Sequence, residues 1–446
     1  MGGLKTFVIG GIRPPENKLS ANKFIEVLPL PNQVVVPLGQ NLGAPSKVLV
    51  KRGEKLKTGQ LIARADSFIS ANLHSPVSGT VFKLDNVLDA SGYQRPAVII
   101  NVEGDEWEEG IDLSDSLIKD FDLTSDEIIQ KVKEAGVVGM GGATFPTQVK
   151  LKVPHGKKAE FLIINGVECE PYLTADHRLM LEKGPEIMVG IQLLMKALKV
   201  EQAIIGIENN KADAIGHLTS LARNYPGVSV QPVHVKYPQG GEKQLIKALL
   251  NREVPSAKLP IEVGCVVQNV GTAFAVYEAV QKNKPLIERI VTVTGKGVKK
   301  PSNFKVRIGT PLKYLIYAAE GLPVNTGKII SGGPMMGKSL ASEEVPVVKG
   351  SSGILLMPDE ESHRKEESPC IRCSKCIQAC PMGLEPFFLS RLARIGRVDK
   401  AEEEHVMDCI ECGSCQYTCP ANIPLLDYLR LGKNKVAAMI RTRNKK

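Results

Sequence analysis

Eight of the ten cysteines in this chain fall into two copies of one pattern. Cys370, Cys373, Cys376 and Cys380 precede Pro381, and Cys409, Cys412, Cys415 and Cys419 precede Pro420. Each copy reads C-x2-C-x2-C-x3-C-P, the spacing that holds [4Fe–4S] cubes. Three closely spaced thiolates reach three irons of one cube. The fourth, beyond the turn that proline enforces, points to the neighbouring cube. The expected ligand sets are therefore Cys370, Cys373 and Cys376 with Cys419, and Cys409, Cys412 and Cys415 with Cys380. Structural zinc uses pairs of C-x2-C rather than triplets with a trailing C-P, and disulfides suit a secreted chain. The spacing demands a dedicated cluster domain and a role in moving electrons.

With 446 residues, the chain has room for about three or four domains. No run approaches the roughly 18 uninterrupted apolar residues of a membrane span, and the N-terminus lacks the apolar core of a secretory signal. Cys169 and Cys265 lie outside the two motifs. Free thiols and oxygen-sensitive clusters both suit a reducing cytoplasm. The net charge of +9 is uneven, since residues 430–446 carry seven basic and no acidic side chains. Such an end can meet anionic lipid, nucleic acid or an acidic partner, or be a solvated helix end. No nucleic-acid module accompanies it, so no nucleic-acid partner is expected.

The pattern along the chain is multidomain α/β. Residues 33–103 alternate short strands with glycine and proline turns, the pattern of a β barrel-sandwich hybrid of the lipoyl or biotinyl type. The carrier lysine flanked by methionines is missing, which favours a docking or structural piece over a swinging arm. From Ser125, a possible N-cap, the period becomes helical, and strands then alternate with amphipathic helices. That alternation predicts a Rossmann-like parallel sheet covered on both faces. Short strands return over 288–356, with one helix near 311–320, as in a β-grasp (SLBB-like) module. Phe387, Leu389, Leu392 and Ile395 fall near helical spacing between the cysteine runs, which predicts an α-helical ferredoxin domain. The expected domains are 1–124, 125–287, 288–356 and 360–435, with a basic tail at 436–446.

Clusters pass single electrons, so a donor of electron pairs needs a splitter, and flavin is the usual one. The glycine-rich run 139–147 offers backbone N–H groups to a flat ring or a phosphate, although a plain turn reads the same way. GMGGATFPTQVK, NGVECEP and YPQGGEKQL resemble three motifs of the flavin- and NADH-binding subunit of respiratory complex I. These are G-R-G-G-A-G-F-P-T-G-x-K, N-A-D-E-x-E-P and Y-x-x-G-E-E-x-x-L. The resemblance implies that Gly139, Gly141, Gly142, Ala143, Phe145 and Lys150 line a flavin and dinucleotide cleft. It implies that Asn165 and Asn269 bind FMN and that Glu168, Glu170, Tyr237, Gly240 and Glu242 surround flavin and nicotinamide. Glu242 falls on the nicotinamide side as the candidate catalytic residue. Met140, Thr144, Val167 and Gly241 depart from the motifs, replacing an arginine, a glycine, an aspartate and a glutamate. Those departures bear on NADH more than on FMN. Read without the resemblance, Glu168 and Glu170 could cap a helix or pair with Arg178 or Lys183. Lys150 could be solvated beside Lys152, and Cys169 reads as a small buried hydrophobe.

From GGIRPPENK at the start to the paired cysteine runs, the module order resembles the RnfC family of the Rnf electron transport complex. That resemblance implies a peripheral subunit on the cytoplasmic face of a bacterial cell membrane. It would exchange electrons between NAD(H) and ferredoxin, coupled to sodium or proton translocation. Its cofactors would be FMN and two [4Fe–4S] clusters. Its partners would be integral membrane and flavin-carrying subunits and a cluster-carrying subunit, with ferredoxin reached indirectly. A soluble cobalamin reductase of a metabolic microcompartment has a similar module order. A cluster-only relay without NADH binding is the third reading.

Overall fold

A computed structural model describes residues 4–443. In the first module, Gln33–Pro37, Gln94–Gly104, Ser78–Leu88 and Lys55–Leu56 form one sheet, and Lys47–Val48, Leu61–Arg64 and Leu73–His74 form another. Alternate residues of both sheets, among them Val34, Val98, Ile100, Ile62 and Leu73, meet in one small core. The result is the barrel-sandwich hybrid.

The helix begins at Ser125, and its N-cap lies one residue earlier than expected. Thr124 caps Ser125–Glu134 through a reciprocal pair with Glu127, whose N–H and carboxylate lie three residues on. Ser125 is already helical, and its hydroxyl donates to the Ala197 carbonyl at 2.6 Å. Beyond it lies a fully parallel sheet in the order Val228–Val233, Gln202–Glu208, Phe161–Asn165, Cys265–Asn269. Leu162, Ile164, Ala203 and Ile205 face a core shared with the helices Ser125–Glu134, Gly184–Leu198 and Val270–Gln281. Ile163, Ile204 and Cys265 face the opposite layer, against Leu245, Ile246 and Leu249 of Glu242–Leu250. Near-continuous apolar strands follow from burial on both faces. The chain winds outward from Phe161–Asn165 in one direction, then returns to its other side. The ends of Phe161–Asn165 and Cys265–Asn269 therefore flank a topological switch point, where such sheets open a crevice.

The β-grasp module is a six-stranded sheet, and one edge comes from far upstream: Ile25–Val27 pairs in parallel with Asn303 to Lys305. By sequence alone that strand falls in the N-terminal region, because three residues show no period. Helix Leu312–Ala318 packs on this sheet through Leu312, Leu315 and Ile316.

The cluster domain is helical. Leu389 and Leu392 of Pro386–Arg394 are buried as expected, whereas Ile395 follows the helix and is 64% exposed. Phe387 is turned toward a cysteine-lined cavity instead of the core. The basic C-terminal residues extend one long helix, Leu425–Arg443, in place of a tail. Arg430 and Lys433 are held by Glu411, and Arg443 by Glu402. Residues 444–446 of the basic stretch lie outside the described residues, as do residues 1–3. Among the described residues no helix is long and apolar enough to cross a membrane.

Candidate functional site

The two cysteine motifs fold alike, residue for residue. The positions before and after the second cysteine are left-handed in both: Arg372 and Ser374 in one, Glu411 and Gly413 in the other. Three residues past the fourth cysteine, Gly383 and Asn422 repeat the match. This backbone curls each C-x2-C-x2-C run around a centre, and Lys375–Ala379 and Ser414–Tyr417 lead the chain away from it. The fourth cysteines cross over. Cys380 lines a cavity with Cys409, Cys412 and Cys415. Cys419 lines the other with Cys370, Cys373 and Cys376. Among the described residues no disulfide joins any of the ten cysteines. Burial pushes Cys409 up to about 11, with the neighbouring Cys412 and Cys380 thiols adding to the rise. Burial likewise raises Cys380 and Cys412. As neutral thiols the four can share this cavity, and their number and softness suit an iron–sulfur cube that would take them as thiolates. The two cavities differ in access: Cys380, Cys412 and Cys415 are buried, and Cys370 and Cys373 are exposed.

The second part of the site is the crevice at the switch point. Asn165 and Asn269 sit in register at the ends of adjacent parallel strands. Above them runs the glycine loop, closed by the Gly139 N–H on the Phe145 carbonyl at 2.8 Å. Gly141, Gly142 and Ala143 are exposed. Gly142 has φ +126°, and a Cβ there would meet nothing within 4 Å, so the backbone lies bare toward open space. Thr144, where the related motif has glycine, holds φ +50° and is pinned by the Leu42 N–H on its carbonyl at 3.1 Å. A bare glycine backbone beside Asn165 and Asn269 at the strand ends suits a flat, polar-edged ring such as a flavin.

The remaining candidates separate into groups. Lys150 Nζ meets Glu242 Oε1 at 2.7 Å and the Val267 carbonyl at 3.1 Å, so this pair stands together at the crevice. Asn165 donates to the Gly240 carbonyl at 2.8 Å. Asn269 is more committed: its Oδ1 accepts the Gly271 N–H at 2.8 Å, and its Nδ2 donates to Asp176 at 2.7 Å. Glu168 caps Ala175–Glu182, accepting from the Asp176 and His177 N–H groups at 2.7 and 3.2 Å. Neither glutamate pairs with Arg178 or Lys183, which are taken by Glu182 and Glu186. Tyr237 is 2% exposed, and its hydroxyl donates to the Cys412 carbonyl at 2.8 Å. Cys169 lies half-buried beside Gly240, accepting its N–H at 3.4 Å.

Glu170 turns away from the crevice toward the β-grasp module. It accepts the Met335 and Met336 N–H groups at 3.1 and 2.7 Å, and a Cβ on Gly333 would lie 2.3 Å from its Oε2. Withdrawal from water raises its carboxyl from 4.5 to about 7. The folded chain therefore holds that proton more tightly than the unfolded chain does. The associated stability is fully present below pH 4.5 and is lost as pH rises through about 7. We expect Glu170→Gln to flatten that slope, read as a smaller fall in melting temperature than the wild type shows over the same pH interval.

Comparisons with known proteins agree module by module. Residues 6–105 match the RnfC barrel sandwich hybrid domain, and 132–278 the Nuo51 FMN-binding domain. Residues 290–339 match the SLBB domain, and 362–420 a 4Fe-4S dicluster domain. The RnfC-type subunit of the proton-translocating ferredoxin:NAD(+) oxidoreductase complex of Clostridium ljungdahlii is 46% identical, over 97% of this chain and 94% of that protein. Its Na(+)-translocating counterpart from Acetobacterium woodii is 41% identical over 98% of both. The chain belongs to the RnfC family. The same family in Rhodobacter capsulatus is represented by the corresponding subunit of an ion-translocating oxidoreductase complex, 41% identical over 97% of this chain and 84% of that one.

In this RnfC family member two residues that sequence reasoning passed over organise the site. Lys18, in the GGIRPPENK segment, donates to the Glu168, Glu170 and Leu173 carbonyls at 2.8, 2.9 and 2.7 Å. Gln244 spans from the crevice helix to the cluster domain, donating to the Pro381 carbonyl at 3.3 Å. Lys18 could have been found only as a lone cation in a segment singled out by resemblance. Gln244 gave no signal.

Proposed function

We propose that this chain passes electrons between NAD(H) and partner subunits of an ion-translocating ferredoxin:NAD oxidoreductase complex, on the cytoplasmic face of the membrane. The observation that carries the reading is the Tyr237 bond to the Cys412 carbonyl, which joins the wall of the crevice to the buried cysteine set. When bound, FMN would accept a hydride and the two cubes would carry its electrons singly. The glycine loop would let the backbone approach the ring, and Asn165 would hold the Gly240 loop against it. Lys150 and Glu242 would orient the dinucleotide. Tyr237 and Met335 close the space between crevice and thiols with apolar surface, which keeps water from the buried set. The exposed set, with Ile371 67% exposed beside it, would present the far end of the relay to a cluster-carrying partner.

The test is anaerobic reconstitution with iron, sulfide and FMN, followed by NADH. Bleaching of the flavin band and then of the broad cluster absorption supports the reading; clusters that NADH leaves oxidised, or a protein that binds no flavin, refute it. Lys150→Met, which strands the Glu242 carboxylate, should raise KM for NADH about tenfold without changing iron content.

A further inference from the structure

Arg289 stands on the strand Glu288–Thr294 of the β-grasp sheet and is 7% exposed. Its Nε donates to the Ser351 carbonyl at 2.9 Å, and its Nη1 meets Met140 Sδ at 2.6 Å. Both of these partners are uncharged, and among the described residues no carboxylate bonds the guanidinium. Burial lowers it from 12.5 to about 10, and Asp176, the carboxylate acting on it from farther off, offsets only part of that. Asp176 is itself engaged by Asn269. A nearly buried guanidinium with no paired carboxylate is costly, and an anion drawn to it would offset that cost.

Its surroundings say which anion. Met140 belongs to the glycine loop, and its N–H donates to Thr272 Oγ1 at 3.0 Å. Thr272 and Gly271 form the first turn of Val270–Gln281, capped by Asn269. A Cβ on Gly271 would sit 3.2 Å from Met140 Cε and 3.7 Å from Arg289 Nη1. The guanidinium thus borders a helix N-terminus, where backbone N–H groups and the helix dipole both favour negative charge. The turn carrying Ser351 touches the same loop from above: a Cβ on Gly350 would lie 2.6 Å from Thr144 Cγ2.

We propose that Arg289, supplied by the β-grasp module, binds the phosphate of FMN together with the first turn of Val270–Gln281. This rests on the crevice being the FMN site. The charge that the related glycine motif carries as an arginine at position 140 is thereby delivered from another module, and Met140 fills the space between. The β-grasp module becomes part of the flavin site as well as its neighbour.

Flavin-stripped protein titrated with FMN and with riboflavin, followed by flavin fluorescence, tests the proposal. Wild type should bind FMN more tightly than riboflavin. Arg289→Met should weaken FMN binding by roughly 30-fold and leave riboflavin binding unchanged. Arg289→Lys should fall between, and Met140→Arg added to Arg289→Met should restore part of the preference for FMN. Equal weakening of both flavins in Arg289→Met, or in Arg289→Lys should the methionine variant not fold, overturns the proposal, as does unchanged FMN binding. Wild type that binds neither flavin instead overturns the crevice reading itself.

Discussion

Replacing Cys380 by serine is expected to destroy the cluster of the other motif, while that of Cys370, Cys373 and Cys376 survives. Cys380 shares its cavity with Cys409, Cys412 and Cys415, and the proline after it carries the chain away from the three cysteines that precede it in sequence. Iron content should drop from about eight to about four per chain. The lost paramagnetic signal should be the one missing from a Cys409→Ser variant. Cys419→Ser should match Cys370→Ser in the same way. A Cys380→Ser protein whose remaining signal matches that of Cys370→Ser would mean that each motif closes on itself. The loss should also be the more damaging of the two for NADH oxidation, because Cys412, of the same set, adjoins Tyr237 and the crevice.

The second large effect is expected at Lys18. Its ammonium binds three carbonyls of the 168–173 turn, from a segment 150 or more residues away in sequence. Burial lowers its pKa, so the charge is held against a desolvation penalty that those carbonyls offset. The same turn presents Glu168 to one helix and Glu170 to the β-grasp module, and its Cys169 meets Gly240. Lys18→Met would leave three carbonyl acceptors without their charged donor. A loss of ~3 kcal/mol is expected from charged hydrogen bonds of this kind, measured by denaturant unfolding of the cluster-loaded protein. Flavin content should fall with it, since the turn supports the wall of the crevice. Retained stability would mean that water replaces the ammonium.

What could be read in advance was whatever the chain encodes locally. Cysteine spacing is itself geometry, so the expectation that Cys380 and Cys419 reach across to the other motif forms before any fold is known. The break at the glycine loop and the alternation around it were visible for the same reason, since strand and helix periods differ. What escaped acts between modules. Ile25–Val27 is too short to show a period, and joins a sheet built nearly 300 residues later. Arg289 looks like one more charge in a strand, and only the fold brings it to Met140. Glu168 was placed in the crevice by its motif, yet its left-handed backbone turns it onto a helix end eight residues on. Ile395 shows the limit of periodicity: it kept the spacing of a buried face but lies past the end of Pro386–Arg394.

The central claim is that the Cys380 set stands between the crevice and the Cys370 set. Two variants decide it, Cys373→Ser with the exposed set broken and Cys409→Ser with the buried set broken, each reduced by NADH without air and examined by paramagnetic resonance. The account predicts that the cluster left in Cys373→Ser is reduced by NADH, and that the cluster left in Cys409→Ser is reduced only by dithionite. Reduction by NADH in Cys409→Ser with none in Cys373→Ser would contradict it.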